Sequence, residues 1–283
     1  MSAGVIWMLL AQLCFALMGV TGRISSEVAP WQEVLLVRFV AGASAAWLVA
    51  RARGIPLMIH DKRAQFWRSF FGTVAAFGTF YLLAAKQMPL GDAVTLFAVS
   101  PLLVALLSWP VLGERVSRAS AIAIVVGLVG VIAIAKPSFQ STPLLAMVGL
   151  VTAVSTAIAM MWLRRMGAGE RGEAIVFHFS VFGALVTLVS ALPILVWPSM
   201  RGAMWLCVTG FAGGMGQLCM TKAYSLAEAA RVSAVTSTGI VMTRILALVV
   251  FFETPTLTQW AGTALVLLAT AAVATTSQPR PTP

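Results

Sequence analysis

Apolar runs long enough to cross a hydrocarbon layer recur along the whole chain between short polar breaks, and this recurrence constrains the fold more than any other feature. A helix needs about 17 to 25 residues to span a layer about 30 Å thick. Ten runs fit that length, over residues 5–20, 31–50, 66–85, 93–112, 119–135, 143–163, 174–197, 203–223, 232–252 and 257–275. Inside lipid every backbone N–H and C=O must find a partner within the protein, which leaves helices or a closed barrel. The ten-residue alternating strands of a barrel are absent from the sequence. The expected fold is therefore an all-α membrane protein with ten transmembrane helices. Only 10% of the 283 residues are charged, against about a quarter in a soluble domain, so the natural surroundings of most of this chain are lipid.

The breaks, at 25–30, 51–63, 113–118, 136–137, 167–172 and 198–202, carry Gly, Pro and charge, and none is long enough to be a domain. The first run has no basic region before it and no convincing cleavage site, so it reads as a retained helix and not as a signal peptide. The polar, Pro-rich tail 277–283 is expected to be disordered. With the N-terminus in the cytoplasm, the inner breaks and tail hold 13 of the 19 Lys and Arg, Arg68 among them, and the outer breaks hold 4. That bias places both termini in the cytoplasm of a bacterial inner (plasma) membrane. It also explains the net charge of +10 as a topology signal, which leaves no reason to expect a nucleic-acid partner. Cys14, Cys207 and Cys219 all lie within apolar runs without ligand spacing, so neither a disulfide framework nor a metal site is expected.

Sliding the chain along itself reveals a weak, ordered repeat, the kind of internal duplication that transporters carry. At an offset of 140, Glu33 falls on Glu173, Arg38 on His178 and Phe39 on Phe179. At 138, Trp67 falls on Trp205, Gly72 on Gly210, Gly78 on Gly216 and Ala85 on Ala223; at 139, Glu114 falls on Glu253. Each half holds five spans, an odd number, so the second half enters the membrane from the opposite side. The halves, residues 1–137 and 138–276, are then two inverted five-helix repeats, able to open one shared site to either side in turn.

The stretch from Ala85 through Pro89, Asp92-Ala93, Ser100-Pro101 and Leu112-Gly113-Glu114-Arg115, followed by a helix containing Gly127 and Gly130, resembles the repeat of the EamA family in the drug/metabolite transporter (DMT) superfamily. The second copy departs from it, with Ser237-Thr238-Gly239 where a Ser-Pro pair is expected. The resemblance covers nearly the whole chain and implies a metabolite transporter; relatives in that family move amino acids, nucleotide-type metabolites, amines and drugs.

Among candidate site residues, Arg38 stands out because it lies about seven residues, or about 10 Å of rise, inside the second run. It reads either as a grip for a substrate carboxylate or phosphate, or as the partner of Glu33 or Glu27, or as a side chain that snorkels outward. Arg244, twelve residues into the ninth run, is the second candidate for substrate or counter-ion contact, with an interhelical ion pair as the plainer alternative. His178, at the repeat position of Arg38, either lines the pathway and titrates near neutral pH or simply bonds to a neighbour. Gln12, Tyr81, Trp162, Gln217 and Tyr224 can supply hydrogen bonds or an aromatic wall, the two amides carrying most information because an amide in hydrocarbon wants a partner. Glu33, Glu114 and Glu253 sit near span ends and read as gating or structural groups, and Pro101 and Pro110 should bend the fourth span. Gly210 and Gly214, in G-x-x-x-G spacing, and Gly72, Gly78 and Gly216 should allow close helix packing within the bundle.

No H-E-x-x-H, G-x-S-x-G or P-loop pattern occurs, so an enzyme is not expected, and nothing asks for a cofactor or metal. The expected function is alternating-access carriage of a small metabolite with an anionic group, amino-acid-like or related, by a monomer or homodimer in the lipid bilayer. A flippase for lipid or lipid-linked head groups is the nearest rival.

Overall fold

The computed structural model describes residues 2–85, 100, 103, 104, 107, 117–135, 143–252 and 256–276. These residues form α1 (Ala3–Ser25), α2 (Trp31–Ala52), α3 (Lys62–Ala84), α4 (Arg118–Ala135), α5 (Pro143–Met166), α6 (Gly172–Ala191), α7 (Met200–Leu226), α8 (Ala229–Thr236), α9 (Thr238–Phe251) and α10 (Leu257–Thr276). No strand occurs among the described residues. Helices α8 and α9 are two parts of one apolar stretch, Arg231–Phe251, broken at Ser237. Nine of the ten expected runs therefore carry a helix. Of the run 93–112, only Ser100, Leu103, Val104 and Leu107 are described, all helical. Glu114, Glu253, Pro101, Pro110 and the tail 277–283 lie outside the described residues.

Six stretches are long and apolar enough to cross a membrane: Ala3–Ser25, Trp31–Ala52, Met147–Met166, Gly172–Ile194, Met200–Leu226 and Arg231–Phe251. Their exposed faces are the apolar ones. On α1, Ile6, Leu10, Leu13 and Leu17 share one exposed face, while Met8, Ala11, Gln12 and Ala16 are buried. This spacing of three and four residues is a helix face. With apolar groups outside and a polar amide inside, the arrangement suits lipid as solvent.

Glycines set how closely the helices approach. A Cβ at Gly214 would lie 3.0 Å from the Cα of Gly42, and one at Gly210 would lie 2.8 Å from the Cβ of Ala41, so this G-x-x-x-G face seats α7 on α2 inside the bundle. Gly78 faces Thr152 of α5, Gly216 faces Phe15 of α1, and Gly130 of α4 meets the Gly262 carbonyl of α10. The principal packing partners are α1 with α7, α3 with α5, α2 with α6 and α7, and α4 with α10.

The two ends of the bundle are tied by polar contacts. At one end Glu170 accepts the backbone N–H groups of His60 and Asp61, both at 2.8 Å, while the His60 ring meets its other oxygen at 3.3 Å. Asp61 in turn caps α3 by accepting the Ala64 N–H at 2.9 Å. Burial would raise the Glu170 pKa, but the donors from Asp61 and His60 outweigh it and hold the carboxyl below its ordinary 4.5. His60 itself is an exposed residue. At the other end, Glu33 accepts the Val196 N–H at 3.0 Å, and Thr209 bridges Thr21 and Ser25 of α1.

Candidate binding cavity

Between the helices lies a cavity of about 300 Å³, walled by Gln12 of α1, Arg38 of α2, Arg68, Gly72 and Thr79 of α3, Thr156 of α5 and Phe179 of α6, with Gln217 and Tyr224 of α7, Ser233, Ser237 and Thr243 of α8 and α9, and Ser100 and Val104. Its polar lining consists of arginine, amide, hydroxyl and phenol groups; among the described residues no carboxylate reaches it.

Arg38 is 7% exposed. Its guanidinium stands 4.9 Å from the ring centroid of Phe39 and 5.7 Å from that of Phe179, and Nη2 donates to Gln217 Oε1 at 3.3 Å. The Gln217 amide nitrogen makes a long contact to Thr221 at 3.5 Å, which is consistent with its oxygen facing the arginine. Glu33, the partner offered for Arg38 by the sequence, instead accepts the Val196 backbone. The Nε of Arg38 finds no acceptor among the described residues.

The structure adds a residue that the sequence reading missed. Arg68, counted there among the inner-loop cations, lies inside α3, is 1% exposed and stacks 4.2 Å from the Phe179 centroid. Its Nε and Nη1 find no acceptor among the described residues, and it shares the Phe179 ring with Arg38, which brings two like charges to one wall. Room for the guanidinium comes from Gly72, one turn further along α3, where a Cβ would run into Arg68 Nη1 and the Phe179 ring. The signal available in sequence was the helix start. With Asp61 as cap, Arg68 is already nearly two turns into α3, and Gly72 at i+4 marks the space beside it.

Cation–π contact is worth about 0.5–2 kcal/mol, whereas an uncompensated buried charge costs several kcal/mol. Two phenyl rings and one amide therefore do not offset two buried guanidiniums. Among the described residues the cavity wall therefore carries positive charge that no carboxylate balances.

Of the other residues singled out in the sequence, Gln12, Gln217 and Tyr224 reach the cavity and four do not. Gln12 donates to Met8 Sδ at 3.2 Å and its amide occupies the space left by Gly239. Thr243 lines the wall, and Arg244, the next residue on the helix and so rotated by about 100°, is not among the residues that line it. His178 is likewise not among the lining residues. Its Nδ1 bonds the Ala174 carbonyl of its own helix at 2.9 Å, and its ring packs on Phe177. Tyr81 packs edge-on against Trp31 at 5.9 Å. Trp162 packs on the apolar core and under the Arg165 guanidinium at 5.4 Å.

Known proteins bear on this geometry. The model of the EamA-like transporter family matches the chain twice in succession, over residues 2–136 and 143–275. The pseudopaline exporter CntI of Pseudomonas aeruginosa (strain UCBPP-PA14) is 29% identical over 280 residues, covering 98% of each chain. An uncharacterized transporter of Helicobacter pylori (strain ATCC 700392 / 26695) is 26% identical over 250 residues, covering 84% of this chain and 83% of its own. A solved crystal structure, 18% identical, superposes with a TM-score of 0.84 over 98% of this chain and 99% of that one, a likeness of fold alone. With a helical bundle whose outer faces are apolar and a family match across both halves, this chain is a multi-pass membrane protein that belongs to the EamA-like transporter family.

Proposed function

We propose that the protein is a ten-span, alternating-access carrier of the bacterial inner membrane that moves a small metabolite with an anionic group through this cavity, with Arg38 as the principal anchor. The observation that carries the reading is a buried guanidinium on the cavity wall with an unfilled donor and no facing carboxylate among the described residues. Gln217 orients Arg38, and Gln12, Thr79 and Thr243 offer neutral hydrogen bonds to the remainder of the cargo.

The inverted-repeat reading, with halves 1–137 and 138–276, is supported by reciprocal packing. Helix α1 of the first half packs on α7 of the second, and α3 of the first packs on α5 of the second. These are first-with-third and third-with-first pairings. The second helices, α2 and α6, pack on each other, as do the fifth, α4 and α10. Glycines follow the same rule: Gly72 abuts Phe179 of α6 while its repeat counterpart Gly210 abuts α2, and Gly78 abuts α5 while Gly216 abuts α1. Exchange of the two halves about an axis in the membrane plane produces such pairings. The basic inner breaks favour cytoplasmic termini, and the relative named as an exporter favours outward transport.

The test is uptake of labelled anionic and cationic metabolites and of lipid analogues by proteoliposomes containing the purified protein. The carrier reading expects uptake of soluble anions, reduced at least tenfold by Arg38→Gln at unchanged reconstitution (about 1.4 kcal/mol per tenfold). Movement of lipid analogues only would favour the head-group flippase, and uptake of cations only would overturn the anion assignment.

A further inference from the structure

The carrier reading uses one arginine, but the cavity holds two. We infer that the transported molecule carries two negative charges at once, with Arg68 as a second anion contact beside Arg38, and that the site selects dianions over monoanions. The inference rests on the carrier reading and goes beyond it by fixing the charge of the cargo.

Three observations converge on it. Arg68 is more completely buried than Arg38, and its Nε and Nη1 are unfilled among the described residues. Both guanidiniums pack on the same Phe179 ring, at 4.2 and 5.7 Å, which brings two like charges to one wall. Gly72 leaves space where any larger residue would displace Arg68. A monoanion would cancel one charge and leave the second buried against its neighbour. A dianion cancels both and removes their mutual repulsion, so the second negative charge should contribute strongly to affinity. Arg38 also donates to Gln217, whereas for Arg68 the contact described within the cavity is the Phe179 face. Arg68 is therefore the guanidinium with more capacity left for a ligand.

Two chemistries supply two negative charges: a pair of carboxylates, or a single phosphate monoester. The test separates them. Binding of succinate, glycerol 3-phosphate and the monoanion succinamate to purified protein is measured by thermal shift and calorimetry at pH 7.5. Wild-type protein is expected to bind at least one of the dianions about tenfold or more tightly than succinamate. Preference for succinate assigns one carboxylate to each arginine, and preference for glycerol 3-phosphate assigns both arginines to one group. Arg68→Gln should bring the ratio of dianion to monoanion affinity close to one, while Arg68→Lys, which keeps the charge, should preserve part of it. Selectivity is a ratio within one protein, so general loss of stability does not mimic the result. If wild-type protein binds succinamate as tightly as the tighter-binding of the two dianions, the inference is overturned while the carrier reading stands. If no anion binds, both fall.

Discussion

Helices α2 and α6 carry Arg38 and His178 at positions that coincide when the chain is shifted by 140, each followed by a phenylalanine, and the two phenylalanines meet edge to face at 5.4 Å. From that shared frame the polar residues diverge. Arg38 enters the cavity and packs between two aromatic rings, while His178 closes a bond to the carbonyl one turn behind it and takes no part in the wall. The difference is one of satisfaction. An imidazole can spend its donor on its own helix, whereas the long, five-donor guanidinium reaches outward and stays only partly filled. The cation-rich wall, Arg38 and Arg68, thus comes from α2 and α3, and α6 contributes the Phe179 ring against which both lie.

Substitutions on the two helices and their neighbours test this contrast. The largest effect is expected for Arg38→Gln, with transport of anionic cargo falling at least about tenfold in proteoliposomes, because the anion then loses a charge-assisted contact. Comparable transport by the variant would place the cargo elsewhere. Next, Gly72→Ala pushes a methyl group into Arg68 and Phe179. Overpacking of this kind costs roughly 1–3 kcal/mol, visible as a lower melting temperature in detergent together with weaker anion binding. A smaller loss, roughly 1 kcal/mol of stability, is expected for Glu170→Gln, which weakens the tie across the loop end of the bundle.

Glu170 also gives a pH dependence with a definite sign. Its carboxyl is held below the ordinary 4.5 in the folded protein, so its contribution is fully present above that value and is lost as pH falls through the lower native one. Acid titration of wild type and Glu170→Gln should converge at low pH; a constant gap down to pH 3 would contradict the assignment. Smallest of all is His178→Ala, expected to change transport by less than about twofold, since the bond it removes lies within one helix.

Where the helices lie along the chain was legible in the sequence, and which face of each turns inward was not. Run length and hydropathy locate nine of the ten expected helices among the described residues, and the buried amides Gln12 and Gln217 follow from the cost of an unpaired amide in lipid. Arg244 shows the limit. Its position along α9 is as central as the sequence implied, but the cavity lies on the side of Thr243, and only the packing of neighbouring helices determines which residue of a turn faces inward. Arg68 fails in the opposite sense. It follows Lys62 and Arg63 so closely that it reads as the end of a basic loop, and its burial depends on Phe179, more than a hundred residues away, and on the space beside Gly72. Long-range contacts of that kind leave no local period to read.

The claim on which the account turns is that Arg38 and Arg68 face a cavity reached by water from each side of the membrane in turn. Single cysteines introduced at Ala76 and Thr243, which line that cavity, in protein with Cys14, Cys207 and Cys219 replaced, can be challenged with a membrane-impermeant thiol reagent from either side of oriented vesicles. The account predicts labelling of both positions from both sides, blocked by bound anion, with a cysteine at the outward-facing Leu13 unlabelled. Labelling from one side only, or protection of Ala76→Cys and Thr243→Cys equal to that of Leu13→Cys, would contradict it.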